Sequence, residues 1–125
     1  MNLNQVTLPA VELAPAIAFY QRLGLRLIVE DLPHYARFEC PDGDSTLSLE
    51  QVPELIDGPR PVVYFECADL DQTVGRLGAA GVAFDSLPVD QPWLWREARL
   101  RDPAGNPLCL FWAGRNRRHP PWRIG

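Results

Sequence analysis

Lysine is missing from the chain: all 12 basic side chains are arginine. Set against 16 acidic residues they leave a formal net charge of -4, and no basic run precedes the C-terminal tail. A nucleic-acid surface needs clustered positive charge, so none is expected here. Arginine supplies rigid, bidentate contacts to carboxylate or phosphate, although a complete lack of lysine reads first as codon bias. Apolar runs are short as well. None approaches the 18 residues a membrane span needs, and Met1–Asn4 has neither the basic start nor the apolar run of a signal peptide. Histidine is limited to His34 and His119. The three cysteines, Cys40, Cys67 and Cys109, are odd in number and lie in apolar, strand-like stretches. Buried thiols in a reducing compartment, and hence the cytoplasm, are the expectation.

What the chain does have is proline and glycine, 13 and 9 of them in 125 residues. That implies short elements joined by sharp turns, with room for one respectable core. The elements come in two rounds. Val6-Thr7-Leu8 leads through Glu12-Leu13 to a helix and a Leu23-Gly24-Leu25 exit. At an offset of 57, Val63-Tyr64-Phe65 leads through Asp69-Leu70 to a helix and an Ala80-Gly81-Val82 exit. At an offset of 62, Phe38…Pro41-Asp42-Gly43 is echoed by Leu100…Pro103-Ala104-Gly105.

The patterning predicts a strand over Asn2–Leu8, ended by Pro9. A helix follows, with Leu13, Ile17, Tyr20 and Leu23 on its apolar face and Gly24 as C-cap. Strands at Leu25–Glu30, Tyr35–Cys40 and Thr46–Gln51 complete the first round. After a linker, the second has a strand at Pro61–Glu66 and a helix capped by Asp69 that carries Leu70, Val74 and Leu77. A strand around Val82–Ser86, a loop at Leu87–Pro92, and strands at Trp95–Arg101 and Pro107–Trp112 end it. The tail, with Trp122 and Ile124, reads as anchored on the surface.

Strand alternation separates apolar from mixed sets. Burying the apolar sets under the helices leaves Gln5, Thr7, Tyr35, Arg37, Tyr64, Arg99, Cys109 and Phe111 on a concave face shared by the two copies. Two arginines near aromatics and a neutral amide suit an anionic or carboxylated small molecule. The alternative has Arg37 and Arg99 as solvated strand residues paired with Glu39 and Glu97. Trp93 and Trp95 lie near the mouth and are candidates for ligand or subunit contact.

The order strand–helix–three strands, twice, resembles the vicinal oxygen chelate superfamily of glyoxalase I, bleomycin-resistance proteins and extradiol dioxygenases. The matching stretches are Leu3-Asn4-Gln5-Val6-Thr7-Leu8, Ile17-Ala18-Phe19-Tyr20 with Leu23-Gly24-Leu25, and Leu100-Arg101-Asp102-Pro103-Ala104-Gly105-Asn106-Pro107-Leu108-Cys109-Leu110. The resemblance implies an α+β fold, paired βαβββ modules forming a curved mixed sheet with helices on the outer face. It implies one domain over residues 1–113, built from modules at about 1–52 and 60–113, with 114–125 as a tail.

Metal-dependent members of that superfamily carry ligands on the first and last strands of each copy. By the resemblance these slots fall on Gln5, Leu47 or Leu49, Val62 and Cys109; Glu50 enters only if its strand is turned over. One amide and one thiol do not make a zinc, iron or nickel site. The expectation is therefore a metal-independent branch with no cofactor, binding a small molecule, as a homodimer. Two alternatives stand beside it. One is a glyoxalase-like lyase or isomerase with an atypical metal site using Gln5 and Glu50; the other is a non-catalytic assembly or resistance-type sequestering protein. A nucleophilic Cys109, its pKa lowered by Arg99, would be a further route to chemistry.

Overall fold

The computed structural model describes all 125 residues, Met1–Gly125. The first round of elements is β1 (Gln5–Ala10), α1 (Leu13–Arg22), β2 (Arg26–Asp31), β3 (Tyr35–Glu39) and β4 (Thr46–Gln51). The second is β5 (Val63–Glu66), α2 (Leu70–Ala79), β6 (Ser86–Asp90), β7 (Arg96–Arg101) and β8 (Pro107–Trp112), followed by a single 3-10 turn at Gly114–Arg117. Each round forms its own curved, mixed four-stranded sheet, in the orders β1-β4-β3-β2 and β5-β8-β7-β6. The first strand of each round runs parallel to the last, and the other neighbours are antiparallel. This is the paired βαβββ fold expected from the repeat. The chain divides into two compact units: unit 1 is Met1–Arg60 with Asp102–Asn106, and unit 2 is Pro61–Arg101 with Pro107–Gly125.

In unit 1, α1 buries Leu13, Ala16, Ile17 and Tyr20. Pro15 falls in its first turn, where an amide has no helical partner to lose. Gly24 ends the helix at φ 101°, a conformation that costs glycine least. Below the helix lie Leu8, Ala36, Phe38, Leu47 and Leu49, all buried, with the Tyr20 ring 5.7 Å from that of Phe38. A buried phenol needs a polar partner. The turn Asp102–Asn106 provides it: Tyr20 donates to Asp102 Oδ2 at 2.6 Å. Asp102 Oδ1 also accepts from the Ala104 and Asn106 amides, and Asn106 Nδ2 donates to Asp102 and to the Pro9 carbonyl, each at 2.9 Å. Arg60 closes the turn from outside by donating to the Ala104 carbonyl at 2.9 Å.

In unit 2, α2 buries Leu70, Val74 and Leu77 against Val82, Ala98, Leu100, Leu108 and Leu110. Asp69 caps it, its side chain accepting from Gln72 N.

Three expectations are corrected. β1 begins at Gln5 and passes through Pro9 to Ala10; it is an edge strand, where a missing amide is tolerated. β6 spans Ser86–Asp90, inside the stretch expected as a loop, while Val82 is a core residue. Pro88 is accommodated there because β6 is also an edge, with an irregular register between Ser86 and Val89. Trp122 and Ile124 do not anchor the tail, since both are exposed. It is held earlier, where Glu66 Oε2 accepts from the Ala113 and Gly114 amides and Trp95 Nε1 donates to the Asn116 carbonyl.

Candidate functional site

Each sheet has one face under its helix and one without a helix, and the candidate residues lie on the helix-free faces. In unit 1, Thr7 is paired with Ser48, Arg37 with Ser48, and Tyr35 with Glu50, so these five residues share a face. Gln5 joins them two residues before Thr7. Thr7 Oγ1 and the buried Ser48 Oγ are 2.6 Å apart. Gln5 Oε1 accepts from Thr46 Oγ1 at 2.9 Å. Arg37 lies over the Tyr35 ring, 5.4 Å from its centre, and donates from Nε to the Tyr35 hydroxyl at 2.9 Å. Hydrogen bonding from Ser48, then from Arg37, holds the Tyr35 phenol below its ordinary value.

This register overturns the sequence alignment of β4. Leu47 and Leu49 pair with Phe38 and Ala36 and lie in the core, while Ser48 and Glu50 face outward with Arg37. The cause is one residue of loop. Six residues separate the paired Glu39 and Thr46, but only five separate Arg101 and Pro107. The repeat offset therefore drops from 62 to 61 at β4, and every side chain changes face. Cys109 corresponds to Ser48, and Phe111 to Glu50.

In unit 2, Tyr64 pairs with Cys109, Arg99 with Cys109, and Glu97 with Phe111. Trp95 stacks on Phe111 with ring centres 4.6 Å apart and 17° between planes. Tyr64 meets both rings edge-on. Arg99 sits 5.4 Å over the Tyr64 ring and donates to Glu97 Oε1 at 2.7 Å. The other Glu97 oxygen accepts from Trp93 Nε1, also at 2.7 Å. Glu97 is only 3% exposed, whereas Trp93 is 44% exposed.

Of the pairings weighed from the sequence, Arg99 with Glu97 is formed. Arg37 with Glu39 is not: Glu39 takes Arg26 at 3.5 Å, and Arg37 has no carboxylate within ion-pair reach. Ser48, outside the sequence candidates, joins this face because the longer loop before Thr46 reverses the parity of its strand. The link from Glu97 to Trp93, four residues earlier across a turn, has no signal in the residue pattern.

Cys109 is not set up as a nucleophile. Burial pushes its thiol up to about 11; Arg99 opposes the shift, and Glu97 adds to it. At neutral pH it is a protonated, buried group. Nor do the donors of either unit, taken separately, suit a metal. Gln5 and Glu50 are four residues apart along the sheet, about 13 Å at the usual strand rise, too far to share an ion. In unit 2, Glu97 is committed to Arg99 and Trp93. Nowhere in the chain do three His, Cys, Asp or Glu residues come together as a metal site. No helix is long and apolar enough to cross a membrane.

No curated protein matches the chain. Among solved structures, a glyoxalase/bleomycin resistance protein/dioxygenase from Nocardioides is 28% identical, with a TM-score of 0.76, covering 100% of this chain and 90% of its own. Lactoylglutathione lyase from Agrobacterium tumefaciens is 21% identical (TM-score 0.74, covering 89% and 92%). A bleomycin-binding protein complexed with bleomycin is 24% identical (TM-score 0.73, covering 90% and 98%). These last two show a shared fold. The family model for the Glyoxalase/Bleomycin resistance protein/Dioxygenase superfamily matches residues 2–110. With that match across nearly the whole chain, and a βαβββ unit in each half, the protein belongs to this superfamily.

Proposed function

We propose that the chain binds a small carboxylate-bearing molecule without help from a metal, and that Arg37 on the helix-free face of unit 1 holds the carboxylate. One observation carries this reading. Arg37 is half-buried and oriented by Tyr35, and it forms no ion pair, although Glu50 stands on the same face opposite Tyr35. A guanidinium has five N–H donors in a fixed fork, and Tyr35 takes one through Nε. The two terminal nitrogens are free for a bidentate anion. The Thr7 and Ser48 hydroxyls and the Gln5 amide supply neutral polar neighbours on that face. On the unit 2 face, taken by itself, the exposed Tyr64 and Trp93 rings, backed by Trp95 and Phe111, suit a planar apolar group.

Binding without turnover agrees with the protonated Cys109. A homodimer is part of the proposal: the edge strands β2 and β6 expose Ile28, Val29, Leu87 and Val89, as a sheet edge covered by a second copy would. Light scattering of the purified protein reads this directly.

The test of binding is calorimetric titration with benzoate, with and without a chelator. Arg37→Ala is expected to weaken binding at least about tenfold and Arg37→Lys less, because an ammonium cannot grip two oxygens at once. The chelator should change nothing. Unchanged affinity in Arg37→Ala, or binding that needs stoichiometric divalent metal and is lost in Gln5→Ala, would reject the reading.

A further inference from the structure

Arg37 and Arg99 are repeat-related, and the chain treats them differently. Each lies on the helix-free face of its own sheet, and each sits 5.4 Å above a tyrosine ring. Two residues before Arg37 stands Tyr35; two residues before Arg99, at the matching position, stands Glu97. A neutral phenol partners the first arginine and a carboxylate the second, at 2.9 Å and 2.7 Å. We propose that Glu97 sets the charge preference of the unit 2 face: it closes the anion site that Arg99 would otherwise open, leaving an aromatic surface that selects an uncharged planar group.

The geometry supports this in three steps. Both Glu97 oxygens are occupied, Oε1 by Arg99 and Oε2 by the Trp93 indole. A carboxylate this buried cannot be left unpaired without a large desolvation penalty, so Arg99 stays with it. An incoming anion would then meet a fixed negative charge beside the cation it seeks. An uncharged ring meets no such obstacle. Tyr64 and Trp93 remain nearly half exposed, and Trp93 is held by its hydrogen bond, so aromatic surface is presented at little entropic cost.

The comparison with Arg37 rests on the anion reading above, so the experiment is built in a background where that site is removed. Arg37→Ala protein is titrated with two isosteric probes, benzamide and benzoate, following indole NMR shifts of Trp93 and Trp95. Benzamide is expected to bind at least about tenfold more tightly than benzoate. Equal binding, a preference for benzoate, or no shift with benzamide overturns the proposal. Arg37→Ala/Glu97→Gln should then gain at least about tenfold in benzoate affinity, and adding Arg99→Ala should remove the gain. A folded double variant no better than Arg37→Ala also overturns it. If Glu97→Gln does not fold, the benzamide-to-benzoate ratio in Arg37→Ala decides alone. Unchanged benzoate binding when Arg37→Ala is compared with the unmodified protein rejects the anion reading of unit 1 and leaves the probe ratio at Trp93 to be judged separately.

Discussion

The hydroxyl of Tyr20 donates to Asp102, a residue 82 positions further along the chain, at 2.6 Å with both groups buried. A helix of the first repeat thus has its only polar core atom satisfied by a turn that belongs, by sequence, to the second. Removing the hydroxyl alone in Tyr20→Phe leaves Asp102 with three donors from its own turn. The loss of one hydrogen bond to a buried carboxylate is expected to cost about 2 kcal/mol. Urea unfolding should show a lower midpoint at unchanged slope; an unchanged midpoint would mean the bond is not formed.

Asn106 gives a sharper probe of the same turn. Its Nδ2 donates to Asp102 and to the Pro9 carbonyl. Asn106→Asp replaces that donor with a second carboxylate beside the first, and should destabilise by about 3 kcal/mol or more at neutral pH. Acidification that protonates one of the two should recover part of the loss, which a pH series of unfolding curves would reveal.

The face assignment of β4 predicts opposite responses from adjacent residues. Leu49 is fully buried, so Leu49→Ala is expected to cost about 3 kcal/mol, whereas Glu50→Ala should fall within about 0.5 kcal/mol. Were the sequence alignment of this strand right, both leucines would lie outside the core and Leu49→Ala would be mild.

Alkaline pH should weaken the fold through Cys109. The folded thiol keeps its proton to about 11, while the unfolded thiol ionises near 9.0. Below about pH 9 both states are protonated and the contribution is complete; above it the unfolded chain releases its proton first, so stability falls towards pH 11. Tyr20, also raised by burial and then by Asp102, acts in the same direction from near 10.0 upward. Cys40, likewise raised by burial, contributes from the same point, so urea midpoints should decline from about pH 9 and Cys109→Ala should make that decline shallower without removing it. A flat profile, or rapid alkylation of Cys109 in the folded protein at pH 8, would contradict the buried thiol.

The scaffold was legible in the sequence because both rounds repeat their core spacing: Leu13, Ile17 and Tyr20 in one helix are matched by Leu70, Val74 and Leu77 in the other. The mixed sets on β1, β3, β7 and β8 were legible too, since alternation fixes parity within a strand. Parity between strands was not, because it depends on the length of the connecting loop. One extra residue before Thr46 hid Ser48 and Glu50 behind two leucines. β6 escaped for a related reason: Pro88 reads as a loop until the strand is seen to be an edge. The Trp93–Glu97 bond depends on a turn in which Leu94 adopts φ 68°, a conformation that side-chain type does not announce.

The placement of Asp102–Asn106 in unit 1 also bears on how such a chain can be divided or shuffled. A gene carrying only the first repeat would encode a Tyr20 hydroxyl and a Pro9 carbonyl whose partners lie downstream of the cut. The two halves look alike as sequences, yet they are not interchangeable parts. A first-half fragment would have to borrow a five-residue turn from another molecule before its core could close.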